Sequence, residues 1–534
     1  MIMNKLYKFS IFALLVIAFS HIAFAESKYM NNPQKLKVAA MVVSEYYVDS
    51  VNSDKLAEDA IHGMLKELDP HSSYSDPEET KALTEPLDGN FSGIGVQYNI
   101  QEDTLYVIQT VAGGPSEKVG ILPGDRIITV NDTTIAGVKM TTKDITKRLR
   151  GKKGTKVEVG VKRRNVPELI QFRITREDIP LYSVDAAYMI DENTGYVRIS
   201  RFAETTHDEF MKAVKKLKKQ EMKQLIVDLT DNGGGYLNIA TKMVNEFLED
   251  NQMIVYTEGR RSPRYEEKAN GRGKLKDLDV VVCVNQYSAS ASEIFSGAIQ
   301  DWDRGVIVGR RTFGKGLVQR PVPFPDGSMI RLTVARYYTP SGRCIQKPYT
   351  KGKDDYEKEI LDRYNHGELA HADSIHFNDS LKYTTLHKNR VIYGGGGIMP
   401  DYFVPLDTTE YSDYFRDLIA KGTLIQYINK YVEINRKEIK KQYKNIDIYI
   451  NKYEVDSLML KDLITLADKD SIKYNEKQFN ASKELIKQNM KAIIARDLFE
   501  DAAFYMVMNK KNDIVKSALD IINDKNRYNM LLNK

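Results

Sequence analysis

Cysteine is nearly absent: Cys283 and Cys344 are the only two in 534 residues. That is too few for the disulfide framework of a small exported domain, so the fold has to hold by packing. Cys283 sits in the apolar run VVVCVN, where a buried thiol is the expected reading. Charge of one sign is lacking too, because 78 Lys and Arg stand against 73 Asp and Glu, mixed along the chain. A net charge this small argues against a nucleic-acid-binding protein. Internal repeats and the H-E-x-x-H zinc motif are also missing. His366, His371 and His376 recur at five-residue steps, which does not align ligands on one helix face, so no metal is expected.

A long hydrophobic segment that could be a leader occurs only at the start. Lys5 and Lys8 precede the apolar stretch from Phe9 to Phe19, and Ala23-Phe24-Ala25 supplies a small-x-small cleavage pattern. Residues 1–25 read as a secretory signal peptide, and the stretch is short for a bilayer span. Its removal takes away Lys5 and Lys8 and lowers the formal charge from +5 to +3. The expected location is exported, periplasmic or cell-envelope, with membrane anchoring if the segment is not cleaved.

The rest of the chain is long enough for several cores. Residues 30–87 carry apolar positions at three- and four-residue steps, as in LKVAAMVVSEYYV, and predict a small helical domain that ends in DPHSSYSDPEE. Residues 88–177 change to short alternating strands and glycine turns with one helix at TKDITKRLRG, a mostly β module. Over 178–408 apolar strands alternate with helices, which predicts an α/β domain with a buried sheet and a polar insertion at about 350–388. GGGGIMPDYFVP reads as one more strand returning to that sheet. Residues 409–534 have helical periodicity and read as a helical extension.

Chemistry concentrates in three loops of the α/β domain. In NQYSASASEIFSG, Ser290-x-x-Glu293 has the spacing of a capping box. A serine at a strand-to-helix junction also lies beside unpaired amides at the positive end of a helix dipole, which are the donors an oxyanion needs. Ser288 and Ser292 are not excluded by spacing. In GRRTFGKGLVQ, Lys315 stands between Gly314 and Gly316 after an apolar strand, where it could be desolvated enough to accept a proton. Gly309-x4-Gly314-Lys315 imitates a phosphate loop, but Gly316 replaces its Ser or Thr and no helix comes after it. In VDLTDNGGGYLNIA, Gly233, Gly234 and Gly235 allow close approach of backbone amides to a ligand. Seven histidines lie beyond residue 25, and none is near a glycine-rich turn of this domain, so Ser-His-Asp is unsupported.

The ordered set LDPHSSYSDPEE, SGIGV, DLTDNGGG, SASASEIFSGAIQD, GKGLVQ and GGGGIMPD resembles the carboxyl-terminal processing peptidases, or tail-specific proteases, over about residues 36–408. The resemblance implies a multidomain α+β chain: the helical unit, a PDZ domain, a crotonase-like α/β peptidase domain and the extension. It places a nucleophile on Ser290, a general base on Lys315 and an orienting glutamine on Gln319. Oxyanion donors would be the amides of Ala291 and of a glycine of the 233–235 turn, with Gly234 favoured. Two departures fall there: Thr230 stands where the family usually has Arg, and Gly233 where it often has Pro. Gly93, Ile94, Gly95 and Val96 correspond to a loop that grips a terminal carboxylate while the tail adds as a strand.

The expected function is a serine endopeptidase that needs no cofactor. Its partners would be proteins or peptides with accessible C-terminal tails, with a homodimer or an adaptor joined through the helical extensions. Two other classes stay open, a PDZ scaffold that binds tails without cutting and an acyl-CoA enzyme of the crotonase-like fold.

Overall fold

The computed structural model describes residues 32–376 and 378–533, so the signal-peptide reading lies outside the described residues. No described helix is long and apolar enough to cross a membrane.

Among the described residues, one compact unit holds residues 32–76 together with Pro321–Leu332. It contains two helices in the stretch expected to be helical, Asn32–Tyr46, whose described side chains are all exposed, and Ser53–Lys66. Asn52 starts the second by accepting the amides of Asp54 and Lys55. The first leaves Leu36, Met41 and Tyr46 exposed.

The second unit carries everything else. Its β module is an antiparallel sheet in the order Val96–Gln101, Thr104–Thr110, Arg126–Val130, Lys156–Lys162, Ile170–Thr175. The alternation read from the sequence buries Leu105, Val107, Ile127, Val159, Val161 and Ile174, and helix Thr142–Leu149 adds Ile145 and Leu149 to that core. Strands Asn90–Gly93 and Glu177–Pro180 pair with each other, so the module leaves the chain beside its point of entry.

The α/β domain is a six-stranded sheet whose spatial order equals its chain order. Its strands are β1 (Val184–Met189), β2 (Thr194–Ile199), β3 (Gln224–Asp228), β4 (Asp279–Val284), β5 (Val306–Gly309) and β6 (Tyr402–Phe403). Only β1 and β2 run antiparallel; the rest are parallel. β6 is the returning strand expected after the glycine run. The central strands are unbroken apolar runs because both faces are covered. One face packs on helix α1 (Ala291–Asp301) and its neighbours through Phe295, Ala298 and Ile299.

The other face, with Tyr196, Ile226, Val281, Cys283 and Val308, is covered by the end of the chain. Helices α3 (Asp513–Asn523) and α4 (Lys525–Asn533) bury Ile514, Val515, Ala518, Ile521, Ile522, Tyr528 and Leu531 against it. Just before them, α2 (Asp501–Met508) packs along β1. The extension is therefore not one separate body. Its earlier helices enclose their own core around Leu418, Ile428, Leu463, Ile486 and Ile494, while its last two belong to the sheet.

Candidate active site

β3, β4 and β5 are adjacent and parallel, so their carboxyl ends lie on one edge of the sheet, where open α/β folds place ligands. The glycine turn comes after β3, Ser290 after β4 and Lys315 after β5. Topology thus gathers three loops that are far apart in the chain.

The three serines are not equivalent. Ser288 is fully buried and its hydroxyl donates to the Leu229 carbonyl at 2.7 Å. Ser292, also buried, donates to the Asn232 carbonyl at 2.8 Å. Both hydroxyls are structural. Ser290 is half-buried and adopts φ +57°, a region that non-glycine residues rarely enter, at a cost of roughly 1–3 kcal/mol. Such a conformation persists only where the surroundings over-determine it.

Glu293 does so. Its carboxylate, completely buried, accepts the amides of Ser290 (2.8 Å), Gly314 (2.7 Å) and Lys315 (2.9 Å) and the Thr312 hydroxyl (2.5 Å). The Glu293 half of the capping box is present, and the same carboxylate spans to the lysine loop, which spacing alone does not reveal. Burial pushes this carboxyl up to about 7, against the pull of the four donors. From the other side, the Tyr337 hydroxyl lies 3.1 Å from the Ser290 carbonyl oxygen and 2.5 Å from that of Lys315. Tyr337 is buried, which raises its pKa well above the usual phenol value and keeps it a donor. Gln319, in the next strand, donates to Thr333 Oγ1 at 3.1 Å.

In the glycine turn, Gly234 has φ +104°, and a Cβ there would meet Ser290 Cβ and the Ala289 carbonyl oxygen at 2.8 Å and the Ala291 nitrogen at 3.0 Å. The turn therefore touches the serine loop backbone to backbone, which only glycine permits. The Gly234 amide, expected from the sequence as an oxyanion donor, is donated to Asn232 Oδ1 at 2.9 Å. Asn232 is buried and anchored by its own donation to the Ile199 carbonyl, which is why its oxygen captures that amide. Beneath the turn, Arg198 of β2 reaches Asp228 and Thr230, an arrangement that sequence reading missed. A single arginine in GYVRIS carries no local signal of partners thirty residues on.

In the β module, Gly93 ends a strand, Ile94 is buried, Gly95 takes φ +72° and Val96 starts the next strand. Ile94, Gly95 and Val96, but not Gly93, border a groove of about 260 Å³ between strand Val96–Gln101 and helix Thr142–Leu149, walled also by Tyr98, Thr146 and Arg150. Among the described residues no cluster of three His, Cys, Asp or Glu side chains is placed to hold a metal ion.

Comparisons with known proteins fit this arrangement. Residues 193–356 match the model of peptidase family S41, residues 92–174 a PDZ domain, and residues 19–80 the N-terminal domain of the activating protease CtpB. Residues 414–500 match a family of unknown function. The carboxy-terminal processing protease CtpB of Bacillus subtilis is 35% identical over 326 residues, covering 60% of this chain and 67% of that protein. A probable CtpA-like serine protease of Staphylococcus aureus is 36% identical over 59% of this chain and 62% of its own length. The solved photosystem II D1 C-terminal processing protease aligns at 30% identity and TM-score 0.33, covering 59% of this chain and 90% of that one. The chain is a multidomain serine-type peptidase with a PDZ domain, and it belongs to the carboxy-terminal processing proteases of family S41.

Proposed function

We propose that the protein is an exported endopeptidase that holds the C-terminal tail of its substrate in the PDZ groove and cuts with a Ser290–Lys315 pair. The observation that carries this reading is the shared clamp: one oxygen of Glu293 receives the amides of both residues. Neutral Lys315 takes the proton as Ser290 Oγ attacks the scissile carbonyl, and the tetrahedral oxyanion accumulates beside the Ala291 amide. A second donor comes from the 233–235 turn once Asn232 yields the Gly234 amide. Collapse expels the amine, which leaves with the proton held by Lys315, and the ester on Ser290 remains. Water, deprotonated by the same lysine, then hydrolyses that ester and restores the serine. Gln319 is assigned to orienting the lysine.

Gly93, Ile94, Gly95 and Val96 receive the terminal carboxylate, and the apolar wall of the groove suits an apolar last side chain. The exposed apolar residues of helix Asn32–Tyr46 suit self-association or an adaptor. Export rests on the leader reading of residues 1–25.

Purified Ser290→Ala and Lys315→Ala should bind a tailed protein substrate with unchanged affinity and fail to cleave it. Undiminished cleavage by either variant refutes the mechanism. Binding without cleavage by the unaltered protein favours the scaffold reading.

A further inference from the structure

Arg198 belongs to none of the sequence motifs, yet it lies under the loop they converge on. In the parallel register of β2 and β3 it faces Asp228, the last residue of β3, which is fully buried. Its Nη1 donates to Asp228 Oδ2 at 2.8 Å and to Thr230 Oγ1 at 2.6 Å, and its Nη2 to Asp231 Oδ2 at 3.3 Å. Asp228 Oδ1 in turn accepts the amide and hydroxyl of Thr230 at 2.8 and 2.7 Å. A planar guanidinium thus grips residues 228, 230 and 231, which lead directly into Asn232 and the three glycines.

The gripped segment is tied to the serine loop. The Asn232 carbonyl accepts the Ala289 amide at 2.9 Å and the Ser292 hydroxyl at 2.8 Å. Arg198 itself is supported from the end of the chain: Tyr505 of α2 lays its ring 5.0 Å from the guanidinium carbon, and its hydroxyl donates to Asp185 Oδ2 at 3.1 Å.

We propose that Arg198, braced by Tyr505, is a positioning residue for the 230–235 turn, so that the carboxy-terminal helix α2 takes part in assembling the oxyanion site. This rests on the Ser–Lys reading, in which that turn supplies an amide to the oxyanion. Thr230 gives a further reason for the assignment. The nearby guanidinium comes from the neighbouring strand, and an Arg introduced at 230 would start within reach of the same Asp228 carboxylate.

The test uses the full-length protein and a fluorogenic peptide with an apolar C-terminal tail. Arg198→Gln should lower kcat by about 100-fold, the scale of a lost oxyanion donor, with KM within about twofold. Tyr505→Leu should lower kcat by about fivefold, the scale of coupling through a packed side chain. Adding Thr230→Arg to Arg198→Gln should recover at least about tenfold of the loss. A purely structural role would lower the melting temperature without this kcat-specific loss and rescue.

If Arg198→Gln does not fold, Tyr505→Leu decides. Wild-type kcat in Tyr505→Leu, or in a folded Arg198→Gln, overturns the proposal. So does a change confined to KM. Active Ser290→Ala would instead sink the Ser–Lys reading; inactive Ser290→Ala beside fully active Arg198 and Tyr505 variants sinks this inference alone.

Discussion

The backbone amides of Ser290 and Lys315 donate to one oxygen atom, Oε2 of Glu293, at 2.8 and 2.9 Å. The Tyr337 hydroxyl reaches the carbonyls of the same two residues. The loops after β4 and β5 are therefore fixed to each other by atoms that need never touch a substrate, and Ser290 is held at its unfavourable φ by the same contacts.

Every neighbour of the Glu293 carboxylate is a donor, so Glu293→Gln would turn an amide NH2 toward at least one N–H. The mismatch should cost about 1–3 kcal/mol and lower kcat by about 100-fold. Steady-state kinetics beside a melting curve measures both; an unchanged kcat would show that the clamp is dispensable.

The same carboxyl gives a pH dependence. Burial raises it to about 7, and only the ionised form accepts all four donors, so activity should rise as pH climbs through about 7. Stability moves the other way. The folded state holds this proton more tightly than the unfolded chain does, so unfolding free energy should fall between the ordinary glutamate range and about 7. A stability profile that rises there, relative to Glu293→Gln, would contradict the assignment.

Tyr337→Phe keeps the ring in its packed site and removes only the bridging hydroxyl. The two carbonyls lose the single O–H they share, which should cost about 1–3 kcal/mol. We expect kcat to fall by about tenfold with tail binding unchanged; a defect in KM alone would argue against a role for Tyr337 in positioning Ser290 and Lys315.

Much of this architecture is legible in the sequence, and the reasons differ by residue. The loops of Ser290 and Lys315 stand out because they carry ordered glycine and serine patterns, and the structure brings those loops together. The helices and the alternating strands are readable from period. Glu293 reads as a cap but not as a clamp, since its second set of partners lies in another loop. The Gly234 amide reads as able to approach a ligand because glycine permits such a turn; the buried carboxamide of Asn232 that accepts it is a tertiary fact. Arg198 and Tyr505 give no signal, because an arginine in a strand and a tyrosine in a helix acquire meaning only through the sheet register and the packing of α2. The apolar period of residues 513–523 is visible, but not the face it covers.

Gly95 has φ +72°, and a Cβ there would meet Ile179 Cδ1 at 3.0 Å and Pro115 Cδ at 3.2 Å. Gly95→Ala should distort the loop at a cost of roughly 1–2 kcal/mol and weaken binding of a tail peptide by about tenfold. Cleavage of a short peptide without a tail should not change. Equal losses on both substrates would argue against a tail-specific role.

The last two described helices also decide what can be cut away. Ala518, Ile521 and Leu531 close the second face of the peptidase sheet against Tyr196, Ile226, Val281 and Val308. A fragment trimmed to residues 178–408 would turn those apolar side chains to water and present a sticky sheet face. The segment matched as a peptidase is therefore shorter than the unit that packs as one.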